Sequence, residues 1–152
     1  MSKPLLARNP EFETAVRESF SRQAMMTALG AKLTLVEPGR VHVAFPRSDR
    51  FTQQNGFVHA GAIASVADSA CGYAAFTLAP AATDVLAVEF KINLLAPARA
   101  TTFEARARVV RSGRTLSTYV AEVFGVQHGD EELVATMMST IITRPKTGAG
   151  AA

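Results

Sequence analysis

One stretch of twenty residues, from His59 to Leu78 (HAGAIASVADSACGYAAFTL), carries a single charged side chain, Asp68. A helix that is apolar nearly all round must be buried, either inside a protein or in a bilayer. The bilayer is disfavoured because alanine is only weakly apolar and the carboxylate falls at mid-span, where a charge is costly. The stretch therefore predicts a buried central helix around which the rest of the chain folds.

The segments on either side of this helix show the two-residue alternation of β-strands. From Val85 to Leu94, apolar side chains alternate with Glu89, Lys91 and Asn93. Further strands are predicted over residues 32–36, 41–45, 101–110, 116–126 and 133–143. The first two strands form a hairpin through a Glu-Pro-Gly-Arg turn, and the last four strands form a meander. The last two strands are apolar on both faces, which is typical of a central position or a subunit contact.

These elements predict one α+β domain in which a curved antiparallel sheet wraps around the central helix. Apolar residues at helical spacing over 11–29 predict an amphipathic helix, within residues 1–30, that packs on the domain. The domain itself spans residues 31–144, and residues 145–152 are expected to form a disordered tail. Since 27 of the 152 residues are alanine, much of the core must be close packing of small side chains.

Composition and spacing disfavour several classes of protein. A single cysteine, Cys71, rules out an internal disulfide, and the N-terminus has no secretory apolar run, so we expect a cytoplasmic protein. The net charge is only +3 and the basic residues are scattered, which does not favour nucleic-acid binding. Cys71 has no cationic neighbour to activate it, and the three histidines, at 42, 59 and 128, lack metal-ligand spacing.

Asp68 is the candidate for chemistry within the central helix. On a helical projection its face carries small side chains, namely Gly61, Ala64, Ser65, Cys71, Gly72 and Ala75. This face predicts either tight packing against the sheet or a slot for a ligand. A buried carboxylate without a cation is costly, so it is either hydrogen-bonded to a neighbouring backbone or hydroxyl group or has a raised pKa and a function. We expect a function.

A second signal lies at the start of the helix, which the polar segment 53–61 (QQNGFVHAG) precedes. Free N–H groups and the positive end of the helix dipole favour an anion there, including an oxyanion that forms during acyl transfer. The amides of Ala60 and Gly61 are the candidate donors. His59 is expected to cap the helix rather than to transfer a proton.

The spacing of these two signals has a consequence for assembly. Asp68 and the Ala60 amide are eight residues apart, which is about 12 Å along a helix axis. Both groups of one chain cannot contact the same carbonyl group. If both act on it, they come from different subunits whose helices run antiparallel about a two-fold axis. The sequence therefore predicts a homodimer with two composite sites at its interface.

The string QNGFVHAG, an aspartate nine positions after its histidine and a following strand VEFKINLLAPAR together resemble the hotdog-fold acyl-CoA thioesterases of the phenylacetate-pathway (PaaI-like) type, over residues 30–144. The resemblance implies a helix wrapped by five or six antiparallel strands and a dimer whose sheets join, often paired into a tetramer. It implies hydrolysis of acyl- or aryl-CoA without a metal or other cofactor. In such enzymes the residue at the position of Asp68 acts as base or nucleophile. The amide at the position of Ala60 polarises the thioester carbonyl, and the residue at the position of Gln53 holds the water or the substrate.

Two positions depart from that family. His-Ala-Gly replaces the usual His-Gly-Gly, and no assisting serine or threonine is identified, because Gly72 and Val88 occupy the plausible positions. The phosphates of coenzyme A need cations, for which the turn over residues 111–114 (RSGR) is the candidate, with a solvated turn as the alternative. The residues expected to orient or bind substrate are Gln53, Asn55, Gly56, Arg111, Gly113 and Arg114.

Three functions are compatible with these features. The first hypothesis is thioester hydrolysis, in which Asp68 activates water or attacks the carbonyl and the two amides hold the oxyanion. The second is a non-catalytic acyl-CoA sensor or scaffold on the same fold, which binds ligand without releasing thiol. Hydratase chemistry, the third, needs an aspartate and a histidine a few residues apart before the helix, whereas Asp49 and His59 are ten apart. Aryl and medium aliphatic acyl groups both fit a slot lined by Phe, Met and Ala.

Overall fold

The computed structural model describes residues 5–146, so most of the predicted tail, residues 147–152, lies outside the described range. The helices are α1 (Phe12–Ser21), α2 (Ala24–Leu29) and α3 (Ala60–Phe76), with a 3-10 turn at Asp49–Phe51. The strands are β1 (Lys32–Glu37), β2 (Arg40–Pro46), β3 (Thr83–Leu94), β4 (Thr102–Arg111), β5 (Leu116–Gln127) and β6 (Asp130–Pro145). The α+β class is confirmed, because one six-stranded antiparallel sheet, in the order β1-β2-β4-β5-β6-β3, packs around α3.

The central helix predicted over residues 59–78 is α3. Alanine is the best helix former, and His59 provides the N-cap at its start. Ala67, Ala70 and Ala74 are fully buried, and the strands that α3 contacts turn further small side chains inward. These inward alanines are Ala105, Ala107, Ala121 and Ala135. The predicted core of closely packed small side chains is confirmed.

No helix within residues 5–146 combines the length and the hydropathy that crossing a bilayer requires.

The N-terminal segment differs from the single helix predicted over residues 11–29. Arg22 and Gln23 separate α1 from α2, and Gln23 is extended, with φ −83° and ψ 99°. In one straight helix Val16 and Leu29 would point about 140° apart, at 100° per residue. The break between the helices lets both side chains be buried, at 0% and 2% exposure.

The predicted meander of the last four strands is wrong, because β3 pairs with β6 and β4 pairs with β2. Residues 95–101 carry the chain across the sheet from β3 to β4. The error has a physical cause: alternation shows which face a side chain uses, but not which strand lies beside it. The central position predicted for residues 116–126 and 133–143 is confirmed, since β5 and β6 each have two neighbours.

As a result, β3 is an edge strand of twelve residues with apolar side chains in solvent. Leu86, Val88, Phe90 and Leu94 are 46–57% exposed. The opposite edge, β1, has only six residues and an irregular register with β2. A long, exposed apolar edge is a template for pairing with another chain, whereas a short, bulged edge resists it.

Candidate active site

The start of α3 is capped by the side chain of His59. Its Nδ1 accepts the N–H of Gly61 at 2.8 Å, so the predicted capping role is confirmed. Because Nδ1 is the acceptor, the neutral ring carries its proton on Nε2. Of the two amides expected to hold an oxyanion, that of Gly61 already donates its hydrogen bond to the His59 side chain. The N–H of Ala60 has no acceptor among residues 5–146.

The loop before α3 is held in shape by its own hydrogen bonds. The N–H of Gln53 donates to the Phe57 carbonyl at 2.8 Å, and the N–H of Gly56 donates to the Gln53 carbonyl at 2.9 Å. Gly56 has a φ of +81°, which favours glycine, and its carbonyl accepts Arg47 Nη2 at 3.0 Å. The Oε1 of Gln53 accepts the N–H of Asn55. Its Nε2 is the half of the carboxamide that can donate to a water or substrate.

A cleft of about 480 Å³, which we call the tip cleft, opens at the start of α3. Its lining includes Gln53, Gln54, Phe57, His59, Ala60 and Leu94. The structure thus brings three predicted site residues together, at 53, 59 and 60, whereas Asn55 and Gly56 lie in the loop outside the lining. The guanidinium of Arg99 stacks over the Phe57 ring at 4.7 Å, which places a cation beside this cleft.

Asp68 lies in a second cleft, of about 290 Å³, which we call the Asp68 cleft. The cleft is bounded by α3, by the segment between α1 and α2, and by the first residues of β3. The Oδ1 atom of Asp68 is buried and has no hydrogen-bond partner within the described part of the chain. Burial raises the pKa of this carboxyl group. A desolvated carboxylate oxygen without a donor is costly and is characteristic of functional sites.

The face of α3 around Asp68 differs in part from the predicted one. Cys71 and Ala75, assigned to that face, are buried against the sheet. Burial raises the pKa of the Cys71 thiol to about 12, with the negative charge of Asp68 adding to the effect, so the thiol stays protonated. Cys71 is a packing residue, as predicted.

Ser69 and Tyr73 line the Asp68 cleft and were not singled out from the sequence, nor were Ser19 and Gln23 from the N-terminal segment. Ser69 could have been found, because it follows Asp68 and lies only 100° round the helix. Ser19 and Gln23 are distant in sequence and precede the segment that resembles the family, so no pattern pointed to them.

The turn over residues 111–114, predicted to bind phosphate, lies beside the C-terminal end of α3. Gly113 lines a small hollow together with Ala75 and Leu78. Its N–H donates to Ser117 Oγ at 3.0 Å, and a Cβ atom there would lie 2.1 Å from the Leu116 carbonyl oxygen, so the turn requires glycine. Within a protomer, this turn and the tip cleft are at opposite ends of the helix. Arg111 and Arg114 line neither the tip cleft nor the Asp68 cleft.

No group of three or more His, Cys, Asp or Glu side chains in the described residues is arranged to hold a metal ion.

The family profile of the thioesterase superfamily matches residues 55–132, which include all of α3. The chain belongs to the thioesterase superfamily. A thioesterase family protein from Silicibacter pomeroyi is 44% identical, with a TM-score of 0.87 over 89% of this chain and 99% of that chain. A candidate esterase from Saccharolobus solfataricus is 34% identical over 103 residues, which are 67% of this chain and 73% of that protein.

The fold also matches that of the E. coli PaaI protein from the phenylacetic acid degradation operon. The TM-score is 0.81 at 21% identity, over 93% of this chain and 99% of that chain. The hotdog fold and the resemblance to PaaI-like thioesterases are therefore confirmed. Membership in this superfamily supports hydrolase activity on thioesters.

Proposed function

We propose that the protein hydrolyses acyl- or aryl-CoA thioesters at a composite site formed by Asp68 of one protomer and the Ala60 amide of a second copy. The observation that carries the proposal is a pair of unsatisfied polar groups on one helix. The Oδ1 atom of Asp68 lacks a donor and the N–H of Ala60 lacks an acceptor within residues 5–146. About 12 Å of helix separates them, and they open into different clefts.

The exposed edge strand β3 is the observation that supports pairing with a second copy. Its exposed apolar side chains and unpaired backbone can join the same strand of a partner and extend the sheet across a two-fold axis. The two α3 helices would then run antiparallel on one side of a continuous sheet. In that arrangement each Asp68 faces the start of the partner's helix, which combines the Asp68 cleft of one protomer with the tip cleft of the other.

The chemistry follows from these two groups. Asp68 removes a proton from a water molecule, and the hydroxide adds to the thioester carbonyl carbon. The negative charge that develops on the carbonyl oxygen is stabilised by the Ala60 N–H and the positive end of the helix dipole. Collapse of the tetrahedral intermediate breaks the C–S bond, and the thiolate of coenzyme A takes the proton from Asp68. Direct attack by Asp68, followed by hydrolysis of the anhydride, uses the same groups and gives the same products.

In this proposal, different parts of the substrate bind in the two clefts. We assign the acyl group to the Asp68 cleft, because Phe76, Val85 and Leu86 give it an apolar side, although Ser19, Gln23, Ser69, Tyr73 and Asp84 also line it. The tip cleft takes the pantetheine arm, with Arg99 beside it as a cation for the phosphates. The turn that contains Arg111 and Arg114 is the alternative phosphate site.

A hybrid dimer tests the composite site. Ala60→Pro removes the N–H without breaking the helix, because proline suits the first helical position and His59 already has the extended conformation (ψ 139°) that proline requires before it. Losing an oxyanion donor should lower kcat by about 10²- to 10³-fold. Co-expression of Asp68→Asn and Ala60→Pro chains with two different tags isolates the hybrid. One of its sites is intact, so we expect about half of wild-type activity.

The reciprocal hybrid is the control. A wild-type chain paired with a chain carrying both substitutions has one lesion in each composite site, so it should be nearly inactive. If both groups acted within one chain, the results would be reversed, with the first hybrid inactive and the control half active. Saturable binding of acyl-CoA by the wild type without release of thiol would show a sensor instead of an enzyme.

A further inference from the structure

The N-terminal segment places a carboxamide against α3 beside Asp68. The Oε1 atom of Gln23 accepts Ser69 Oγ at 3.0 Å, and its Nε2 donates to Tyr73 Oη at 3.4 Å. Tyr73 Oη is also 3.2 Å from Ser19 Oγ. The four side chains form one hydrogen-bonded chain that joins the end of α1 and the segment after it to two successive turns of α3. Such chains are cooperative and hold their members in fixed positions.

All four of these side chains line the Asp68 cleft. The opposite wall is formed by the first residues of β3, namely the carboxylate-bearing Asp84 and the apolar Val85, Leu86 and Ala87. The ring of Phe20 packs edge-on against Tyr73, with ring centroids 5.5 Å apart and an interplanar angle of 62°. This contact fixes the tyrosine from its other side. The carboxamide of Gln23 is therefore a rigid part of the cleft wall, on a segment that precedes the superfamily match over residues 55–132.

We propose that Gln23 is a specificity-determining residue, whose carboxamide closes the Asp68 cleft and limits the length of the acyl group. This inference rests on the proposed function, in which the acyl group occupies that cleft. A cavity of about 150 Å³ is large enough for benzene, so the cleft of about 290 Å³ has room for a ring or a medium chain. A longer chain must displace Gln23, which takes from Ser69 the acceptor of its hydroxyl and leaves Tyr73 with Ser19 alone, at a cost in free energy.

The test is the chain-length profile of Gln23→Ala. For each protein, kcat/KM is measured at the wild-type optimal chain length and at a length about four carbons greater. The ratio of the second value to the first should rise by about tenfold or more in the variant, since one methylene changes discrimination by about 10- to 200-fold. Saturated acyl-CoA esters from butanoyl to hexadecanoyl are the substrates. Gln23→Asn, which is one methylene shorter and keeps the amide, should shift the profile in the same direction by less. Gln127→Ala, at the exposed end of β5, is the matched control and should leave the profile unchanged.

Two results would overturn the proposal. One is an unchanged profile in a folded Gln23→Ala protein, and the other is an equal loss for every chain length, which indicates only a structural role. Dissociation constants for S-alkyl-CoA thioethers of the same lengths separate this inference from the proposed function. A wild type that releases no thiol from any ester refutes the hydrolase, yet a shift in the thioether series on Gln23→Ala still supports Gln23 as the limit on length.

Discussion

The two parts of the candidate site lie on one helix, and each has a polar group without a hydrogen-bond partner: a donor at one part and an acceptor at the other. At the tip of α3, the Ala60 amide is exposed and lacks only an acceptor, while the loop around it is satisfied by its own hydrogen bonds. In the middle of α3, Asp68 has a buried oxygen that lacks a donor, although Gln23, Ser69 and Asp84 line the same cleft. The tip presents an N–H that is free to donate, whereas the Asp68 cleft places a carboxylate where charge is costly.

This difference shows how the helix can serve a reaction. A preformed donor stabilises a developing negative charge without reorganisation, and a desolvated carboxylate has the raised pKa that suits a base. Within one chain, the Ala60 N–H and the Asp68 carboxylate cannot contact each other or the same small group, because about 12 Å of helix lies between them. In the proposed function, each of these groups is therefore half of a site that a second copy completes.

The largest expected effect comes from removing the charge at the Asp68 end. Asp68→Asn keeps the shape of the side chain but cannot take a proton from water, so kcat should fall by about 10²- to 10⁴-fold. Release of free thiol from acyl-CoA esters measures the loss, and circular dichroism checks the fold. A variant that retains wild-type kcat would refute the mechanism.

The next effect comes from separating the two half-sites. Val88→Lys with Phe90→Lys places like charges along the exposed edge of β3, which should repel a second copy. We expect a monomer at low protein concentration, with activity at least about tenfold lower and recovering as concentration rises. Sedimentation velocity and thiol release over a dilution series measure both quantities.

The same charge added elsewhere is the control for this variant. Gln127→Lys adds a cation at the exposed end of β5 and should not change the sedimentation. A fully active monomer of the double-lysine protein would show that each chain carries a complete site.

The sequence was sufficient for the parts of the molecule that depend on local pattern. The uncharged stretch around Asp68 predicts a buried helix, and the strand alternation predicts a sheet around it, because burial imposes these periods on any chain. The cap at His59 followed from its place before the helix. The position of β3 did not follow, because strand order is decided by tertiary packing rather than by the face that each side chain uses.

The residues of the site could be predicted only where they lie close together in the sequence. Residues 53–61 and Asp68 lie within sixteen positions and were identified together. Gln23 reaches Ser69 from forty-six positions away, and Arg99 reaches the tip cleft through Phe57. Those contacts arise from the break between α1 and α2 and from the crossing over residues 95–101. Both are consequences of the fold that no local pattern encodes.

A smaller effect should distinguish the two candidate phosphate sites. Arg99→Ala removes the cation beside the tip cleft, so KM for acyl-CoA should rise by about tenfold while kcat changes little, because the phosphates are remote from the reacting carbonyl. Arg111→Ala with Arg114→Ala should leave KM nearly unchanged if the turn is only solvated. The opposite result would place the phosphates at the far end of α3. Kinetics with the pantetheine thioester, which lacks the nucleotide, should be the same for all of these variants.

The smallest effect concerns stability at the Asp68 end alone. Burial raises the pKa of Asp68 in the folded state, so the protonated form contributes stability at low pH that is lost as pH rises through the raised pKa. Asp68→Asn cannot ionise, so its Tm relative to wild type should be higher at pH 8 than near pH 4, by about 2–4 °C for each kcal/mol of relief. Differential scanning fluorimetry at both pH values measures the shift. A relative Tm that is lower at pH 8 would mean that the carboxylate is stabilised by a donor in the assembled protein, and the contrast between the exposed amide at the tip and the buried, unpaired oxygen of Asp68 would then hold only for the separate protomer.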